Sequence, residues 1–285
     1  MILPRRLAPG AVLLLLLLPA GSLAADERPF VSGAVEGTLA EALPLPAGFT
    51  RVPVAPGSFG AFLRGLPTRP AGAKVMLHDG SPKGRQDVQW RVLAVDVGSR
   101  DLQQCADAVM RLRAEYLRQT GRADQICFRF TSGDAARWSE WRAGMRPEVK
   151  GSQVKWKRTA KPDAGEATFR GYLQRVFLYA GSASFEKELQ PVAGDAIAPG
   201  DVLIRGGHPG HAMVVVDLIE GPGGERRFAL AQSYMPAQEI HVVRGPSGDS
   251  PWFPVQKSGE LKTPEWAFTH GDFRRFGESC PGREP

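Results

Sequence analysis

Four residues, Gly221-Pro222-Gly223-Gly224, separate two apolar runs and force the chain to reverse between them. Glycine supplies positive φ there and proline removes a ladder donor, so no helix or straight strand passes through the segment. The flanking runs, His211 to Ile219 and Phe228 to Tyr234, are therefore the arms of a β-hairpin, with Met213-Val214-Val215-Val216 as the core of the first. Asp201 to Arg205 and His241 to Arg244 are strand-like on either side, so the carboxy-terminal half is expected to be a sheet. If Glu220 and Glu225 flank the turn, His211 lies opposite Tyr234 and diagonal to Gln232, all on one face. A slip of one residue would separate them.

The amino-terminal half has a different punctuation. Pro44, Pro46, Pro53, Pro56, Pro67 and Pro70 exclude a long helix or a central strand, leaving one short helix over Gly57 to Leu66. Strands are expected at Ala73 to Leu77 and Gln89 to Val97, around a turn at Asp79 to Gly84. The clearest helix runs from Asp101 to Gln119, with Asp101 and Gln104 as a capping box and Gly121 as a stop. Leu102, Cys105, Val109, Leu112 and Tyr116 fall on its buried face, while Arg111, Arg113 and Arg118 are expected on a solvated one. Trp138 and Trp141 are placed in the core, and further helices are expected over Ala167 to Tyr179 and Ser184 to Leu189. No repeat interrupts this order, so the fold class is α+β: a helix from the amino-terminal half packed on an antiparallel sheet, in one domain over 46–278.

The ends bound the setting. Arg5 and Arg6, the short apolar run Ala11 to Leu18 and Gly21-Ser22-Leu23-Ala24-Ala25 have the build of a signal peptide over 1–25. An apolar run of about eight residues is too short to span a bilayer, which needs roughly 20. A linker is expected over 26–45, a polar tail over 279–285, and no transmembrane anchor after cleavage. The mature chain is then expected to be secreted or periplasmic. Losing Arg5 and Arg6 lowers the formal charge from +6 to about +4, spread out and without aromatic interleaving, so nucleic acid is not an expected partner. Three cysteines cannot all pair within one chain. Cys127 has the setting of a buried free core residue, and Cys280 lies in the tail.

Cys105 sits early in its helix, where unpaired N–H groups and the helix dipole favour a thiolate. His211 opens a strand directly after Gly206-Gly207-His208-Pro209-Gly210, and the hairpin register brings Gln232 to it. A thiol, an imidazole and a polar group to orient the ring are the parts of a cysteine nucleophile. Cys105, His211 and Gln232 are thus the candidate catalytic residues, with Gln104, His208, Tyr234 and Gln238 as candidate substrate contacts. The alternative for Cys105 is a plain core position on the apolar stripe. His208, His211 and His241 are not spaced as a metal site, since i and i+3 on a strand do not share a face. No cofactor is expected, and no Walker loop, dinucleotide fingerprint or serine elbow is present.

The order of thiol, histidine and polar residue resembles the papain-like superfamily in its NlpC-type and CHAP amidase branches. Gly200-Asp201-Val202-Leu203 and Gly210-His211-Ala212 are similar to their Gly-Asp and Gly-His patches. At finer scale the segments Arg100 to Leu117, Pro209 to Ala212 and Ala231 to Gln238 resemble an uncharacterised family of exported bacterial proteins, a domain of unknown function, over roughly Gly48 to Phe276. Ala106-Asp107 stands where NlpC-type amidases carry a small polar residue and a glycine. The gap of about 100 residues between thiol and imidazole requires inserted structure. The resemblance implies a papain-like (NlpC-type) core and an amidase or peptidase acting on peptidoglycan or other envelope material. The competing expectation is a non-catalytic envelope-binding or structural module on the same scaffold.

Overall fold

A computed structural model describes residues 30–277. The expected signal peptide, the first residues of the expected linker, and the tail with Cys280 lie outside them.

The hairpin is formed by His211–Glu220 and Arg226–Gln232, paired antiparallel, with positive φ at Gly223 (71°) and Gly224 (78°) in the turn. Its register differs from expectation at one end. Glu220 pairs with Arg226 rather than Glu225, because the residues around the turn wind into a short 3-10 segment over Pro222–Gly224. A bulge between Ala229 and Leu230 then takes up the extra residue, so that Ala231 lies opposite Val214. The expected register is thereby restored at the strand ends that matter for His211 and Gln232.

These two strands form the centre of a sheet ordered Gln89–Val92, His241–Val243, Arg226–Gln232, His211–Glu220, Val202–Arg205, Phe273–Phe276 and Leu189–Pro191. Each of these neighbours pairs antiparallel. Alternation divides the long strand between two cores. Ala212, Val214 and Val216 pack with Ala106, Val109 and Leu112 of the helix Cys105–Gln119, whereas Met213, Val215 and Leu218 pack with Phe253, Leu261 and Phe268. A sheet covered on both faces explains the unbroken apolar run. Asp217 is fully buried within it, and its carboxylate holds Arg51 at 2.8 Å and Arg64 at 2.6 Å, which ties the proline-rich segment to the sheet.

Several sequence expectations need correction. Residues 30–45 are no linker: Phe30, Leu39 and Leu43 belong to the core, and Thr38 with Glu41 caps a short helix Leu39–Ala42. Ala73 to Leu77 forms isolated bridges rather than a strand, since Met76 and Leu77 pair singly with Pro82 and Gln238. The long helix begins at Cys105, four residues after Asp101, because Gln104 is its cap and Asp107 accepts from the Gln104 N–H at 3.1 Å. Its arginines are not a solvated face. Arg111 is 1% exposed and held by Glu115 (2.8 Å) and Gln103 (3.0 Å), and Arg113 stacks against Phe59, Tyr116 and Phe276. Cys127 is half-buried and disulfide-bonded, so among the described residues Cys105 is the free thiol.

The stretch between thiol and imidazole carries the inserted structure: a small hairpin Cys127–Arg129/Ala135–Arg137, a short helix Trp138–Arg142, a second hairpin Met145–Lys150/Gln153–Arg158, and helices Glu166–Tyr179 and Ser182–Lys187. Trp138 and Trp141 are buried in it.

Candidate functional site

Cys105 is the first residue of its helix, where the N–H groups of the first turn have no intrahelical partners. The half-buried sulfur is approached by its own N–H, by that of Ala106, and across the fold by that of Ala212. Two clamps fix this approach. Ser233 Oγ lies 3.0 Å from the Gln103 carbonyl and 2.8 Å from that of Gln238, and Asp101 accepts from the Ala237 N–H at 2.7 Å. The end of the hairpin strand is thereby tied to the residues that lead into the helix.

His211 is 1% exposed and lies on the sheet face covered by the carboxy-terminal segment. Its ring packs on Tyr234 at 4.8 Å, Trp266 at 5.4 Å and Phe268 at 5.9 Å. Nε2 is 2.7 Å from Gln232 Oε1. Behind that contact lies a buried polar chain absent from the sequence reading. Gln232 Nε2 donates to Glu265 Oε2 at 2.7 Å and lies 3.3 Å from His241 Nε2, while Lys83 Nζ donates to Glu265 Oε2 at 2.6 Å. His241 Nδ1 lies 2.9 Å from the Glu239 carbonyl.

These contacts have one consistent proton assignment. A carbonyl accepts only, so His241 carries its proton on Nδ1 and presents a lone pair at Nε2. The Gln232 amide then uses both N–H groups, on Glu265 and on His241, and turns its oxygen to His211. His211 must donate from Nε2, which leaves Nδ1 as the nitrogen free to take a proton. Among the described residues no hydrogen bond joins Nδ1 to the Cys105 sulfur; Tyr234 packs against the imidazole.

The electrostatics correct one expectation. Burial, reinforced by Asp107, pushes the Cys105 thiol up to about 11, outweighing the N–H groups that favour the thiolate. Asp107 is itself buried, with Oδ1 unpartnered, and burial holds its carboxyl well above the usual range. Burial also lowers His211 to about 4, against the opposing pull of its Gln232 bond, and His241 to about 3. At neutral pH the resting pair is a thiol and a neutral imidazole.

The expected substrate contacts divide. Tyr234 is half-buried against His211. Gln104 is half-buried, with Nε2 given to Asp101 at 3.0 Å. Gln238 is 1% exposed and donates to the Pro236 carbonyl, sealed beneath its loop. His208 is exposed in the loop before His211. Among the described residues no group of three or more His, Cys, Asp or Glu is arranged to hold a metal ion.

A family model described as domain of unknown function 4846 (DUF4846) matches residues 39–275, from the first helix to the last sheet strand. The chain belongs to the DUF4846 family. No curated protein and no solved structure matches this DUF4846 chain. Lys83, Cys105, His211, Gln232, His241 and Glu265 all lie within the matched span.

Proposed function

We propose that this DUF4846 protein is an exported papain-like cysteine hydrolase, of the amidase or peptidase type, with Cys105 as nucleophile and His211 as general base. The observation that carries the reading is the 2.7 Å contact of His211 Nε2 with a Gln232 amide whose orientation is itself fixed by Glu265. That contact leaves Nδ1 as the free ring nitrogen, and the thiol that opens the helix is reached by the N–H of Ala212, the residue after His211. A thiol at a helix start, then histidine and glutamine on adjacent antiparallel strands, is also the order of the NlpC-type core.

In this reading substrate binding brings sulfur and Nδ1 together. As the thiol attacks an amide or ester carbonyl, its proton passes to Nδ1, and the first-turn N–H groups receive the developing oxyanion. The imidazolium, facing Gln232 Oε1 with Glu265 one bond further, then protonates the leaving amine or alcohol. Water attacks the thioester with His211 again as base, releasing the acid and restoring the thiol. Peptidoglycan or another envelope component is the substrate class, in a periplasmic or extracellular setting.

The raised thiol and lowered imidazole favour a second reading, a binding module on the same scaffold, because neither group is charged at rest. An activated aryl ester separates the two. A burst of phenolate equal to the protein, with the acyl group mapped to Cys105 and lost in Cys105→Ala and His211→Ala, supports the enzyme. Acylation of Cys105 no faster in the parent than in His211→Ala supports the module.

A further inference from the structure

The positive charge, expected to be spread out, is dense over one short segment of the chain. Between residues 145 and 161 stand Arg146, Lys150, Lys155, Lys157, Arg158 and Lys161 against the single acid Glu148, a net +5 where the whole chain carries +6. Most of them lie on the hairpin Met145–Lys150/Gln153–Arg158, which pairs with no other strand of the described residues. Cross-strand partners on one of its faces are Arg146 and Lys157, Glu148 and Lys155, Lys150 and Gln153. The other face carries Met145 with Arg158, Pro147 with Trp156 and Val149 with Val154, the Trp156 ring half-buried and stacked on Phe130 at 6.1 Å, so Arg158 lies away from the charged face.

Like charges directly opposite one another cost stability. Arg146 avoids this by turning its guanidinium onto the Trp141 ring and donating to the Trp141 and Met145 carbonyls at 2.7 Å, which leaves Lys150, Lys155 and Lys157 as the exposed cations of the face. Glu148 relieves part of their repulsion through Lys157 at 2.5 Å and Lys150 at 3.7 Å, while Lys155 has no carboxylate within 4 Å among the described residues. Side chains on the face stand about 5 to 7 Å apart, less than the ~8 Å screening length at physiological salt, so a surface meets them as one charge.

We propose that this hairpin face docks the protein on an anionic lipid bilayer. Two features favour a bilayer over nucleic acid. The charges are mostly lysines on a flat two-stranded ribbon, point charges suited to a plane of phosphates rather than forked contacts to individual groups. The one tryptophan is turned inward, so no aromatic is offered to stack on bases. With no apolar side chain on the charged face, attachment is electrostatic, reversible and salt-sensitive.

The test is co-sedimentation of the full chain with vesicles of phosphatidylglycerol and phosphatidylcholine, and of phosphatidylcholine alone. Binding to the anionic vesicles only, lost at high salt, is expected. Each cation removed lowers partitioning about fivefold, so Lys150→Gln/Lys155→Gln/Lys157→Gln loses about a hundredfold. Glu148→Gln, which removes the acid from the same face, is expected to bind about fivefold more tightly, and it checks the sign should the triple variant fold poorly. Equal binding to neutral vesicles, binding unchanged in both variants, or retention on soluble polyphosphate without binding to vesicles overturns the proposal. Because every comparison uses the same chain, the apolar run 11–18 contributes equally throughout.

Discussion

Glu265 Oε2 lies 2.7 Å from Gln232 Nε2, and with the His241 lone pair at 3.3 Å it decides which end of the amide faces His211. Without Glu265 only the longer contact to His241 holds the amide, and the acceptor that keeps the imidazole proton on Nε2 is less firmly placed. Glu265 and Lys83 are positioning residues in this sense: neither touches the thiol, yet both bear on the tautomer of His211. Glu265→Ala is expected to slow Cys105 acylation by ten- to a hundredfold. It also strands the buried Lys83 ammonium, at a cost of about 3 kcal/mol in denaturant unfolding. Nitrogen-15 shifts of the His211 ring distinguish the two effects, because only loss of positioning mixes the Nδ1–H and Nε2–H forms.

The buried histidines make stability depend on acid. Folded His211 takes up its proton near pH 4, whereas the unfolded chain does so near 6.5. Between these values the unfolded state binds more protons, so stability is fully present above about 6.5 and falls as pH drops through about 4. The loss attributable to His211 is about 3 kcal/mol, and His241 adds to it at the lower end. Urea midpoints at pH 7, 5.5 and 4.5 measure the fall, and it should be smaller in His211→Asn. A flat profile in the parent would contradict a buried neutral imidazole.

At the alkaline end the sign reverses for the thiol. Cys105 holds its proton to about pH 11 in the fold and to about 9 when unfolded, so its alkylation by iodoacetamide in the native protein should be slower than in the unfolded chain and rise steeply only above pH 9. Acylation by an ester that binds the site should instead stay level from pH 6 to 8, since there the proton goes to His211. Asp107→Asn removes the carboxyl that reinforces burial in raising the thiol and is expected to increase the alkylation rate severalfold at pH 8.

Ser233→Ala tests the clamp that sets the thiol against the sheet. The buried hydroxyl serves the Gln103 and Gln238 carbonyls, and its loss is expected to cost about 1 to 2 kcal/mol. Acylation should fall further than stability accounts for, because the residues entering the Cys105 helix lose their register with the hairpin. Equal acylation of parent and variant under folded conditions would show that the clamp is structural alone.

Peptide mapping checks the cysteine assignment. Cys105 should alkylate in the unfolded protein without reductant, and Cys127 only after reduction.

The sequence by itself determined the local elements and their order. The Gly221-Pro222-Gly223-Gly224 reversal, the apolar stripe of the Cys105 helix and the strand beginning at His211 are written in periodicity and turn chemistry, which act over a few residues. Local pattern was enough to place Gln232 beside His211, although the bulge between Ala229 and Leu230 that makes the register come right had no local signal. Only the tertiary structure decided the rest. Lys83 and Glu265 come from loops 182 residues apart, and His241 from a strand whose pairing with Gln232 no nearby residue specifies. Burial decided the charge states: the first turn of a helix lowers a thiol, but desolvation by surrounding chain can outweigh it, and neither the depth of Cys105 nor the inward turn of Arg111 is encoded in the residues beside them. Hydrophobic spacing reports which face is covered, whereas the polar groups enclosed with it are chosen by what the far parts of the chain bring.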